Sequence, residues 1–519
     1  MRCLGVLALL AVLLLAASTP VSAALEQQPQ PAGEIALRIY PDGWIGVSGN
    51  ITIAKLPQPE LPSATMAPPS EIPESALVIQ LTITPVEKEA EESETVEVET
   101  STPHPPATPP TITTTPHPTA TPTPSPTVTP ATPTTPPAEY KVTSIGGFKL
   151  EEIPAELEGL ELQVEVSQEG SKQYEYAEVK IASTLPGKFS LNSNITATTD
   201  KVEKRTELNF TATVEIFYSE GFTEEQARQI AFFIPMLSGM LQSLVSTATD
   251  GKVSLDRLAL TNSTIKSDRA IFTFEGAVSG NFAEGLAIAL EKAAKGEPII
   301  PGAPAEKPPE EQAKTMIALA SLIRELSTIN YAWVKRGHTT IYWDPSEKAF
   351  KSKSENIVEG DINKHYTEVI HAVLRYYPDL LSGESKQYYE ACEFCQNLRE
   401  LALNSSFNVE RLNLLIKAEA AEQGGKASIE FSNFKVKPEC PKCLLMLVGR
   451  LSREKPNESL LLTVEAGSTK EEMVQLLLPE GVGPEPVNAE PPFRYTWKSS
   501  DLLAALESLE VRVEPNWTG

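Results

Sequence analysis

From residue 140 onward, apolar side chains fall at alternate positions in one run after another. The clearest run is Leu208, Phe210, Ala212, Val214 and Ile216, interleaved with Asn209, Thr211, Thr213 and Glu215. A period of two predicts a strand with one buried and one wet face, the habit of an antiparallel sheet. The same pattern predicts strands over 140–150, 160–168, 173–183, 188–198 and 206–218. At Thr223 the period changes. Thr223 followed by Glu224, Glu225 and Gln226 reads as an N-cap with an acidic first turn, opening a helix towards Val245. Its centre, 230–245, is apolar but is interrupted by Pro235 and too short to span a bilayer. It is expected to be a buried core helix, with a lipid-binding or partner-binding surface as the alternative.

Two stretches then read alike. Helix 223–247, strands 253–265 and 269–279 and helix 281–294 match helix 384–404, strands 407–420 and 426–436 and helix 441–450. Arg257-Leu258-x-Leu260 answers Arg411-Leu412-x-Leu414, and Ala270 with Phe274 answers Ala427 with Phe431. This order suggests a duplicated α-β-β-α unit. The expected class is therefore α+β, an antiparallel β-rich body with amphipathic helices, preceded by a small β unit. That unit consists of a strand, turn and strand around Pro41-Asp42-Gly43 and a strand over 76–84. Three strands are marginal alone, so they are expected to pair with the main body or be weakly ordered.

Composition divides the chain further. Residues 1–23 read as a signal peptide: Arg2, an apolar run from Leu4 to Ala17, then small residues at Val21, Ala23 and Ala24. From Ser101 to Pro137, 28 of 37 residues are proline or threonine and none is charged. Such a run lacks backbone donors and settles into extended, solvated polyproline II. With the glutamate-rich stretch before it, 87–139 is expected to be a disordered stalk between the β unit at 24–86 and the body. A proline-rich hinge at 297–309 divides that body into 140–296 and 310–519.

Formal charge is -25, which opposes phosphate backbones and disfavours nucleic acid as a partner. No membrane-spanning helix is expected after the signal peptide. Asn-X-Ser/Thr sequons occur at Asn50, Asn194, Asn209, Asn262, Asn404, Asn457 and Asn516, seven among 17 asparagines. Chance gives roughly three, so the excess points to N-glycosylation of an exported chain. The phrase Ile39-Tyr-Pro-Asp-Gly-Trp-Ile-Gly-Val-Ser-Gly49 resembles the opening of uncharacterised exported proteins of thermophilic archaea that carry Thr/Pro tracts. The resemblance implies a compartment and a lineage, and it brings no activity and no functional residues.

Four cysteines follow the leader, as Cys392-x-x-Cys395 and Cys440-x-x-Cys443. In an exported chain an even count reads as disulfides of undetermined pairing. A helix carrying the first pair would put both sulfurs on one face, able to bridge to the 440 turn. Four thiolates at tetrahedral zinc are the rival reading, against which stands a gap longer than zinc ribbons use. Cys440 and Cys443, after a strand and at a helix start, also suit thiol-disulfide exchange. Asp361, His365 and Glu368 share a helical face and, with His338, have metal-like chemistry, but His371 is off that face and no zinc-hydrolase signature is present. No metal or other cofactor is expected. Aromatic pairs at Tyr331 and Trp333, Tyr342 and Trp343, Tyr376 and Tyr377, and Tyr388 and Tyr389 read as core. The functional expectation is a secreted or cell-surface binding, adhesive or envelope-structural glycoprotein without catalysis, with an envelope or extracellular partner. The alternatives are a thiol-disulfide oxidoreductase at Cys440 and Cys443 and a carboxylate-dependent hydrolase.

Overall fold

The computed structural model describes residues 30–40, 42–56, 64–66, 77–86, 138–150, 158–219, 221–298, 307–419, 425–440, 443–444, 460–466 and 493–498. The chain starts with β1 (Gln30–Ile39), β2 (Ile45–Leu56), β3 (Ala64–Met66), β4 (Leu77–Pro85) and β5 (Glu139–Leu150). A meander follows: β6 (Glu161–Gly170), β7 (Tyr174–Leu185), β8 (Phe189–Asp200) and β9 (Arg205–Phe217). Then helices flank hairpins: α1 (Glu224–Ala248), β10 (Val253–Ile265), β11 (Arg269–Gly280), α2 (Phe282–Lys295), α3 (Glu310–Thr328), β12 (Ala332–Asp344), β13 (Ala349–Gly360) and α4 (Ile362–Leu380). Last come α5 (Gly383–Ala391), α6 (Glu393–Leu403), β14 (Ser405–Asn408), β15 (Asn413–Glu419), β16 (Gly425–Pro438), β17 (Leu460–Ala466) and β18 (Phe493–Lys498).

All 18 strands belong to one sheet. Across it the order is β18, β17, β1, β2, β16, β15, β4, β5, β13, β12, β6, β7, β8, β9, β11, β10. β14 lies beside β16 and β3 beside β5. Every pairing is antiparallel except β1 with β17. This is the α+β, β-rich class that the alternation predicts.

Because paired residues point to the same side, the register fixes two faces. One ladder joins Val166, Val179, Ile195, Phe210, Gly276 and Leu258. The next, on the opposite face, joins Glu165, Lys180, Asn194, Thr211, Glu275 and Ala259. The helices sit on the apolar side. Ala227, Ile230 and Ala231 of α1 pack on Phe272 and Phe274 of β11. At the other end Leu322 of α3 and Val369, Ile370 and Val373 of α4 pack on Ile35, Leu37 and Ile45.

The hairpin and helix units share one joint. Gly280 ends β11 with φ +141 and Gly360 ends β13 with φ +116. At each, an added Cβ would lie 2.1 Å from the carbonyl oxygen of Lys252 or 2.4 Å from that of Tyr331. Only glycine tolerates this backbone and this approach. The next residue caps the helix: Asn281 accepts the amide of Glu284 at 3.1 Å, and Asp361 that of Lys364 at 2.9 Å. The closest counterpart of α1-β10-β11-α2 is therefore α3-β12-β13-α4. The expected second copy at 384–450 is the more irregular one: its leading helix breaks at Cys392, and its first strand divides into β14 and β15 at 409–412.

Several expected boundaries do not coincide with breaks in the sheet. β1, β2 and β4 join the main sheet through β16, β17, β15 and β5, so the strands of 24–86 form no sheet of their own. β4 and β5 are direct neighbours, with Pro85 opposite Tyr140, and the Val86 amide donates to the Glu139 carbonyl at 2.9 Å. Residues 87–137, the expected stalk, lie outside the described residues; the strands that flank them are these two neighbours, β4 and β5. Likewise β12 and β13, expected beyond a hinge, insert between β6 and β5. Arg324 of α3 holds Glu284 and Glu291 of α2, its Nε 2.9 Å from the first carboxylate, so the helices flanking the hinge are fastened together.

At the β12–β13 turn, Lys351 is buried and its ammonium lies 2.9 Å from Asp344 and 2.8 Å from Glu347. The Ser346 hydroxyl donates to Asp344 at 2.6 Å; this bond, then Lys351, draws the Asp344 carboxyl down to about 2. The unfolded value is about 3.9, so the stability this group supplies is complete above that pH and is lost as pH falls towards 2. We expect Asp344→Asn to lower stability at neutral pH by about 1–3 kcal/mol in denaturant titration and to flatten the acid transition between those pH values. Replacing 87–137 by a short Asn-Gly turn should stabilise the fold by about 2 kcal/mol, because a shorter closing loop loses less entropy. Failure of that variant to fold would contradict the joined ends of β4 and β5.

Candidate functional site

Each cysteine pair closes on itself. Cys392 bonds Cys395 and Cys440 bonds Cys443, with S–S distances of 2.06 and 2.07 Å. The bridge across to the 440 turn does not form, because the expected helix stops at Ala391 and restarts at Glu393, making Cys392 its N-cap. The Cys395 amide donates to the Cys392 sulfur at 3.1 Å, and the Cys443 amide to the Cys440 sulfur at 3.3 Å. In both pairs the first cysteine is half-buried and the second buried. Cys443 packs with Leu398 and Leu401 of α6, so the second disulfide rests on the helix that the first one starts.

Three concavities formed by the described residues open on the polar face. One of about 550 Å³ is lined by Gln163, Thr184, Tyr342 and Trp343, with Glu161 its sole carboxylate. A second, of about 490 Å³, holds Glu165 beside Lys180. A third, of about 190 Å³, holds Glu275, which is ion-paired to Arg257. None of the three brings two carboxylates together, the arrangement that a carboxylate-dependent hydrolase needs.

The other sequence candidates scatter. Asp361 caps α4 and His365 is buried on it, whereas His338 lies on the polar face, opposite Ser167 and Glu355. The sheet therefore separates His338 from α4. His371 ties α4 to the next unit, its Nε2 3.1 Å from the Ala402 carbonyl and 2.9 Å from that of Ser405. Trp343 and Tyr389 are buried as the core reading predicts, Trp343 against Phe350 and Tyr389 against Tyr377. Tyr331 is exposed under the Lys364 ammonium. The most shifted tyrosine is Tyr140, pushed up to about 12 by burial and then by Glu410, to which its hydroxyl donates at 3.3 Å. Asn363 holds the same carboxylate at 2.7 Å, so this cluster fastens the first turn of α4.

On the helix side the structure overturns the buried reading of 230–245 and leaves its alternative, an exposed surface. α1 is not a buried core helix: Phe232, Met236 and Met240 are 72%, 61% and 68% exposed. These residues recur every fourth position along α1, on both sides of its bend. No charged residue occurs from Gln229 to Thr249. Beside α1, the apolar side of the meander has no helix layer among the described residues. No helix packs closely on β6, β7 or β8 among the described residues, and β8 and β9 contain no buried position. Val179, Ile181, Ile195 and Phe210 on that side are half-buried. No single helix among the described residues is long and apolar enough to cross a membrane. The two halves of α1, Glu224–Ile234 and Ser238–Ala248, bent by 59°, pass that test together by length and composition.

No family model matches the chain, and no curated protein resembles it detectably.

Each disulfide closes a loop of four residues, the size for which chain entropy contributes least, on the order of 2 kcal/mol. We therefore expect the Cys440→Ser, Cys443→Ser double variant to remain folded with a melting temperature lowered by several degrees. A mixed disulfide trapped by Cys443→Ser alone would instead mark Cys440 as an attacking thiol.

Proposed function

We propose that the protein is exported and acts at the cell surface or outside the cell as a binding or envelope-structural glycoprotein without catalysis, and that its contact surface is the helix side. The observation that carries this reading is the exposed apolar strip of α1, beside the half-buried apolar side of the meander. Apolar sheet faces are normally buried against a second layer, and among the described residues α1 to α4 supply that layer only in part. The strip on α1 alone, with Phe233 and Leu241, offers on the order of 500–600 Å² of apolar surface, the upper end for a monomer's largest patch and much of what one side of a stable interface needs. Two disulfides suit an oxidising compartment.

The occupant is a protein presenting an uncharged apolar layer. A membrane-surface helix typically carries lysine and arginine along its polar face. α1 has Arg228 alone, and the chain's charge of -25 opposes an anionic leaflet.

A photo-cross-linker at position 236 in the otherwise native protein tests the reading. We expect one discrete envelope or extracellular protein to be captured, and the Phe232→Ser, Met236→Ser, Met240→Ser variant to lose at least tenfold of its retention by that partner at an unchanged melting temperature. Capture of lipid, capture of a second copy alone, or undiminished retention would each sink it.

One observation favours a second reading, thiol-disulfide exchange. Cys392 caps the start of α6, the setting that lowers a thiol's pKa, and in both pairs the first cysteine is the less buried. A disulfide that equilibrates with glutathione near the potential of a known oxidoreductase would establish it, and one that resists reduction until unfolding would remove it.

A further inference from the structure

We infer that the polar face of the sheet is the modified face, with N-linked glycans on Asn50, Asn194, Asn209 and Asn262. The inference rests on the export proposed above. Its basis is register. The four sequons lie on β2, β8, β9 and β10, in strands separated in sequence by up to about two hundred residues, yet they emerge on one side. A ladder of paired residues runs from Asn50 through Gln80, Lys353, Glu165 and Lys180 to Asn194. Asn209 stands opposite Thr196, and Asn262 opposite Thr273, two residues from Glu275 in the same ladder as Asn194.

Two of the sequons face each other reciprocally. Asn194 pairs with Thr211 and Thr196 with Asn209, so each asparagine lies against the hydroxyl residue of the other sequon. In a strand, positions i and i+2 share a face. Each asparagine therefore emerges together with its own Thr52, Thr196, Thr211 or Thr264, while Ile51, Ile195 and Phe210 turn to the apolar side. All four asparagines are exposed. Extended backbone presents asparagine and hydroxyl together without local unfolding, and a hydrophilic glycan at each is compatible with the packing beneath.

Three other asparagines supply internal controls. Asn192 and Asn413 are exposed on the same face but have Asn194 and Leu415 at the third position, so they are not sequons. Asn404 begins a sequon but ends α6: its side-chain amide donates to the Glu400 carbonyl at 2.9 Å, and its own carbonyl accepts the Glu439 amide at 3.0 Å. An amide nitrogen already engaged in a helix cap is a poor acceptor of sugar once the chain has folded.

Glycopeptide mass spectrometry of protein purified from its native cells, with parallel fractionation, tests this. The expected result is glycan mass on the peptides bearing Asn50, Asn194, Asn209 and Asn262, none on Asn192 or Asn413, and occupancy at Asn404 at least fivefold lower. Each Asn→Gln variant of the four should lose one glycan mass and melt within about two degrees of the parent, since an exposed surface substitution has little effect on stability. Four bare asparagines in protein recovered outside the cell would overturn this inference and leave export standing. Recovery from the cytosol would overturn both.

Discussion

The constraint on which everything else depends is that apolar side chains keep to one side of a sheet through all its pairings. Within a strand, alternation is a local property of sequence. Between strands it has to be preserved by register, because a slip of one residue would move an entire strand's apolar set to the wrong face. Here the ladder from Ile35 through Gly49, Phe431, Leu414 and Leu81 reaches Val166, Val179, Ile195 and Phe210 without changing side. Where β10 shifts register, after Leu255 and after Leu260, Leu258 and Asn262 still face their proper sides.

That one constraint sorts the remaining features. Helices collect on the apolar side because nothing on the polar side would bury their stripes. The three concavities open among Gln163, Lys180, Asn194 and Thr211 and hold water-compatible groups. The incomplete helical layer is a matter of number: α1 serves β10 and β11, α3 and α4 serve the strands around β1 and β15, and β6 to β8 fall between them. The short cysteine loops act locally at the beginning of one helix and beside it, and they link no distant parts.

Much of the fold was legible because its signal is local. The strands at 206–218 and 253–265, the cap at Thr223 and the helices that follow were all readable from periodicity and capping chemistry, and Thr223 indeed accepts the Gln226 amide. Pairing partners were not readable, since nothing in β12 says that it will lie beside β6. The Arg-Leu-x-Leu pattern that suggests the repeat falls within β10 in one copy and in the other spans the turn at 409–412. The structural repeat resides instead in Gly280-Asn281 and Gly360-Asp361, two residues too few to stand out in a sequence. The exposure of α1 is undecided by its sequence for a different reason. An apolar helix looks the same in sequence whether its second layer is present or absent, so the charge-free run from Gln229 to Thr249 fits a buried core and a binding surface equally.

The joined ends of β4 and β5 have a further consequence for how the molecule would respond to a protease. A cut anywhere in the Thr/Pro tract would yield two chains, but β1, β2 and β4 would still be clamped by β15, β16, β17 and β5 of the other chain. The nicked protein would migrate as two bands after denaturation and as one particle before it. Its amino-terminal strands would remain associated as a complementing fragment, and the cut would release no separate domain.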